Sequence, residues 1–114
     1  IISNPPWPMP PSKLGGLPTG TPTVQIISHL MLFKPTWMLL AADFMHNAYF
    51  APLASNCVKI VSVGRVKWMP GSKDTGFDNA AWYLFDAEHK AEGPVFLPSA
   101  GTKMRYHHSI EGVL

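Results

Sequence analysis

Seven of the twelve prolines in this 114-residue chain fall within its first 22 residues: Pro5, Pro6, Pro8, Pro10, Pro11, Pro18 and Pro22. Proline has no backbone donor and fixes φ, which excludes a helix or an inner strand there. Gly15, Gly16 and Gly20 are interleaved with them, so residues 8–22 read as a long surface loop. Such a loop inside a compact domain is as a rule functional or disordered. The regular structure must come from the remainder, and a chain of this length makes at most one domain.

Beyond the loop, Thr21 or Thr23 offers an N-cap and Pro22 suits a first helical turn. Val24, Ile27, Leu30 and Met31 recur at helical spacing until Pro35 stops the pattern. Residues 37–42 form a continuous apolar run, expected as a strand buried on both faces and ended by Asp43. A short helix is expected from Phe44 to Leu53, closed by Pro52. Val58 to Val63 is β-branched, with Gly64 permitting a bulge before a continuation over 65–69. Residues 70–76 are dense in turn formers, and 80–85 return as a strand, completing an antiparallel hairpin. Val95 to Leu97 offers a further short strand. No internal repeat is present.

The order is strand end, Pro-rich loop, helix, buried strand, helix, hairpin. Strands joined through a helix are expected to be parallel, and the hairpin adds an antiparallel strand, so the expected fold is an α/β open sheet. Residues 1–98 form its body and 99–114 a tail. The chain opens at Ile1 on what reads as a strand end, and the expectation is a portion of a larger domain.

The sharpest chemical signal is Asn4-Pro5-Pro6-Trp7, placed directly after apolar Ile1 and Ile2. It resembles the catalytic motif of S-adenosylmethionine-dependent amino-group methyltransferases, most closely phage-type DNA adenine-N6 methyltransferases. Residues 63–72 and 76–85 also resemble the hairpin of those enzymes, an Arg-containing strand, a polar Gly-rich loop and an Ala-Trp-aromatic strand. The resemblance extends over residues 1 to about 98. It implies a partial Rossmann-like methyltransferase sheet with strands 4-5-7-6 of the family order 3-2-1-4-5-7-6. The motif then lies at the carboxyl edge of the sheet, where ligands bind.

An exocyclic amine on a base ring is a poor nucleophile, because its lone pair is delocalised. The Asn4 side-chain oxygen and the Pro5 carbonyl would accept its two N–H bonds and free that lone pair. Positioning and acceptor dipoles supply the effect. Pro6 would stiffen the turn. Trp7 would stack on the flipped adenine, a contact worth about 1–3 kcal/mol on stacking platforms. The resemblance therefore implies S-adenosylmethionine as donor, double-stranded DNA as partner, and Asn4, Pro5, Pro6 and Trp7 as catalytic residues.

The family's donor site needs a Gly-rich loop after the first strand and an acidic residue after the second. No such loop occurs in this chain, and Gly93 and Gly101 are isolated. The donor-binding residues are thus left unassigned. The missing N-terminal half of the domain is the expected partner, Ile1–Ser3 the exposed edge it would leave, and weak or no activity the expectation for the chain alone.

Other readings stand beside this one. Glutamine-N5 methyltransferases use a similar motif, because an amide nitrogen poses the same lone-pair problem. A small phage α/β binding protein with a Pro-rich arm is the non-enzymatic reading, since Pro5, Pro8 and Pro11 fit the spacing of polyproline ligands. The net charge of +2 implies no nucleic acid by itself. Arg65, Lys67, Lys103 and Arg105 read as solvated surface. Lys13 reads as a loop lysine or a phosphate contact, and Trp68 and Trp82 as core or cross-strand partners. Single Cys57 excludes a disulfide framework. His29, His46, His89, His107 and His108 lack metal-ligand spacing, so no metal is expected. No apolar run spans a membrane and no signal peptide opens the chain. The expected address is the cytoplasm, that of the host if the chain is phage-encoded.

Overall fold

The computed structural model describes residues 1–5, 21–65 and 79–99. Pro6, Trp7, nearly all of the Pro-rich loop with Lys13, the hairpin stretch 66–78 with Lys67 and Trp68, and residues 100–114 lie outside the described residues.

The structure is α/β. Strand β1 is Ile2–Ser3, helix α1 Thr21–Leu30, β2 Thr36–Ala41, β3 Cys57–Arg65, β4 Asn79–Phe85 and β5 Val95–Leu97. They form one mixed sheet in the order β1-β2-β4-β3-β5. β1 runs parallel to β2, with Ile2 opposite Trp37 and Ser3 opposite Met38. β4 enters antiparallel between β2 and β3. The first four strands lie in the order that the resemblance implied, and β5 adds a parallel outer strand beside β3.

The helix forms where the apolar period predicts it. Pro22 sits in its first turn, where a missing N–H costs nothing, and Ile27 is fully buried. The expected second helix over 44–53 is replaced by two 3-10 segments, Ala42–His46 and Ala48–Asn56. Asn47 between them is extended, at φ −92° and ψ 148°. Its side-chain amide donates to the Asp43 and Phe44 carbonyls at 2.9 and 3.4 Å, competing with α-helical bonding. Pro52 removes a further donor inside the second segment.

The strand over 37–42 is likewise not buried on both faces. Thr36, Met38 and Leu40 are buried, while Trp37, Leu39 and Ala41 are only partly covered. The register carries this alternation across the sheet: Thr36, Met38 and Leu40 oppose Phe85, Tyr83 and Ala81, all buried. This face packs on α1 and the 3-10 segments, around Phe44, Phe50, Tyr83 and Phe85. Phe44 meets Tyr83 edge-on at 5.6 Å between centroids, and Tyr83 stacks on Phe85 at 6.2 Å. Each such pair adds about 0.5–1.5 kcal/mol beyond area burial.

Two register shifts bend β3, between Cys57 and Lys59 and between Ser62 and Gly64. The second falls where Gly64 was expected to allow a bulge, and Gly64 has φ +92°. Residues 86–91 are tied back to the body by Asn56. Its carbonyl accepts from Asp86 N at 2.9 Å, and its amide donates to the His89 carbonyl at 2.9 Å.

Candidate functional site

Asn4 leaves β1 one residue after the last paired position, Ser3 opposite Met38. The backbone before it is pinned: Trp37 N donates to Ile1 O at 2.7 Å, and Ile1 N to Pro35 O at 3.0 Å. Asn4 is exposed and Pro5 is buried. The strand thus presents an exposed amide side chain at its own carboxyl end. The structure brings Asn4 and Pro5 together. Pro6 and Trp7 fall outside the described residues.

A cavity of about 350 Å3 lies on the 3-10 side of the sheet. Asp43 and His46 face it from the turn after β2, Ser62 from β3, Asn79 and Ala81 from β4, and Phe96 from β5. The sequence reading used Asp43 only as the end of a strand. A carboxylate directly after a buried parallel strand is, however, a signal for the ligand edge of an open sheet.

Tyr83 fixes that turn. Its hydroxyl shares its proton between the Ala42 and Ala41 carbonyls, at 2.9 and 3.1 Å, and accepts from Met45 N at 3.3 Å. Burial raises the Tyr83 phenol above its usual range; the Met45 bond opposes this, and Cys57, Asp43 and Tyr49 add to it. Tyr49 is raised as well, by burial first and the Asp43 carboxylate second. Burial pushes the Cys57 thiol up to about 12. A thiol held in its neutral form is a packing group rather than a nucleophile.

The opposite sheet face carries an apolar groove of about 290 Å3 between Ile2, Trp37, Val61 and Trp82. Trp82 sits there opposite Leu39 and Val61, a cross-strand partner as expected. His29 packs edge-on against Phe33 at 5.1 Å. Among the described residues no group of three or more His, Cys, Asp or Glu could hold a metal ion, and no helix is long and apolar enough to cross a membrane.

Compared with known proteins, the chain matches no family model, no curated protein and no solved structure.

Proposed function

We propose that this chain is the acceptor-side portion of a DNA adenine-N6 methyltransferase, with Asn4 and Pro5 as the groups that take the target amine. The observation that carries the reading is the pairing of motif and topology. An Asn-Pro-Pro-Trp sequence follows an edge strand, in a sheet whose first four strands run β1-β2-β4-β3 with β4 antiparallel. That arrangement is the one implied by strands 4-5-7-6 of the family order.

The chemistry is acceptor chemistry. The Asn4 side-chain oxygen and the Pro5 carbonyl each take one N–H of the adenine amine, drawing the nitrogen toward tetrahedral geometry. The lone pair then points away from the ring, and no strong base is needed. Exposed Asn4 on a strand pinned at Ile1 has the rigidity such positioning requires.

S-adenosylmethionine would supply the methyl group. The described residues beyond β2 do not fit it: β2 is followed by Ala42 and Asp43 rather than by a Gly-rich turn and a helix. The reading therefore assigns the donor to a further half of the domain, and double-stranded DNA to the carboxyl edge.

The test is methyl transfer to adenine-containing duplex DNA by the whole protein. Asn4→Ala is expected to lower kcat by about 100-fold or more, the scale of one lost positioning dipole, with an unchanged circular dichroism spectrum. Unchanged transfer by Asn4→Ala overturns the reading. So does micromolar binding of S-adenosylmethionine to the 114-residue chain, with respect to the donor assignment.

A further inference from the structure

The cavity beside Asp43 is left unused by the Asn4–Pro5 chemistry. Its walls come from the turn after β2 and from β4, β3 and β5, and neither Asn4 nor Pro5 is among them; their strand β1 lies on the far side of β2 from β4. A volume of about 350 Å3 suits a small organic ligand.

The lining specifies the ligand's chemistry. Asp43 presents a carboxylate and Asn79 an amide carbonyl, both acceptors for N–H groups. Ser62, His46 and the Asn79 amide nitrogen can donate to ring nitrogens. Met45 and Phe96 supply apolar surface, and Phe96 is 55% exposed, leaving its ring available for a planar group. An apolar ligand would strip water from Asp43, Ser62 and Asn79 without replacing their hydrogen bonds. A ligand with its anionic group inside would meet the Asp43 carboxylate. Arg65 is not in the lining, but it is paired with Asn79 across the β3–β4 ladder, so both side chains leave the same face, with Cβ atoms about 5 Å apart.

We propose that this cavity is a nucleotide site, taking an amino-bearing nitrogen heterocycle of nucleobase size with its phosphate outward at Arg65. Asp43 and Asn79 accept from the exocyclic amine, Ser62 and His46 answer the ring nitrogens, and the ring lies against Phe96 and Met45. The carboxylate at the amine position selects adenine or cytosine over thymine, whose carbonyl would face it. This site goes beyond the methyl-transfer reading and does not need it, since none of its residues belongs to the Asn4–Trp7 motif.

Amide chemical-shift titration of the 114-residue chain with dAMP, dCMP, dTMP and a short oligo(dA) tests the site. Saturable shifts are expected at Asp43, His46, Asn79 and Phe96 with dAMP or dCMP. Binding of dTMP should be weaker by about tenfold or more, as one charge-assisted hydrogen bond is replaced by a repulsion. Asp43→Asn and Phe96→Ala should each weaken dAMP binding by about tenfold with an unchanged amide spectrum elsewhere. Arg65→Ala should weaken dAMP but not deoxyadenosine. Tighter binding of oligo(dA) than of dAMP assigns the site to a base within a strand, equal binding to a free nucleotide, and both uphold it. The proposal is overturned by absence of saturable shifts at Asp43, His46, Asn79 and Phe96 with every probe, or by equal binding of dTMP.

Discussion

The Tyr83 hydroxyl stands 2.9 Å from the Ala42 carbonyl, joining the middle of the central antiparallel strand to the turn that carries Asp43 and His46. The same oxygen serves Ala41 O and Met45 N, so one phenol replaces the backbone partners that an α-helix would have supplied there. Tyr83→Phe keeps the ring packing against Phe44, Phe50 and Phe85 but strands those groups in a largely apolar setting. The expected loss is about 1–3 kcal/mol, read as a lower urea midpoint at unchanged m-value. A loss within error would mean that the turn holds itself.

Three neutral acids, Tyr83, Cys57 and the partly covered Tyr49, bear on how the fold responds to alkali. Tyr83 and Tyr49 lie above 10.0 and Cys57 moves from 9.0 to about 12. Each of these groups binds its proton more tightly folded than unfolded. Their stabilisation is therefore complete below the unfolded values and is lost as pH rises through 9–12 toward the folded ones. Urea midpoints are expected to fall continuously above pH 9, the ordinary value of Cys57. Cys57→Ala should flatten the onset of that fall. A midpoint rising between pH 9 and 11 would reverse the sign of the argument.

Periodicity made the sheet legible in the sequence. The strands around Met38, Ile60 and Tyr83 are apolar, β-branched or aromatic runs, and the helix around Ile27 has an apolar face between two prolines. The turn around Asn47 was not legible, because residues 44–53 suit a helix by composition. Only the tertiary placement of Tyr83 and the side-chain bonds of Asn47 decide for 3-10 geometry. At the candidate sites the contrast is similar. Asn4 and Pro5 are contiguous and form a readable motif, whereas Asp43, Ser62, Asn79 and Phe96 come from four segments that only the sheet order brings together. Partial exposure of Trp37 and Leu39 was hidden for a related reason: an unbroken apolar run does not say whether both faces are covered.

Gly64 occupies a conformation that other residues rarely adopt, φ +92°, at the second register shift of β3. Among the described residues a Cβ there would meet the Ser99 Oγ at 3.8 Å, an ordinary contact that adds no crowding. Gly64→Ala is expected to cost about 1–2 kcal/mol from the backbone alone. Because Ser99 Oγ donates to the Val63 carbonyl at 3.1 Å, amide exchange near Ser99 should quicken as well. An unaltered melting temperature would show that β3 can relax the bulge.

Strand β1 has one neighbour in the sheet, and Ile2 is 75% exposed there. It also borders the apolar groove with Trp37, Val61 and Trp82. An apolar edge strand beside an apolar groove is a template for association. The isolated chain is expected to self-associate with rising concentration, seen as a growing sedimentation coefficient. Ile2→Lys places a charge at that edge while leaving the Ile1 carbonyl bond to Trp37 N in place, and stability should change by no more than about 0.5 kcal/mol. The variant should remain monomeric where the parent chain does not. Equal association of the two would move the sticky surface elsewhere, to exposed Leu32 and Phe33 ahead of β2 or to Val95 and Phe96 on β5.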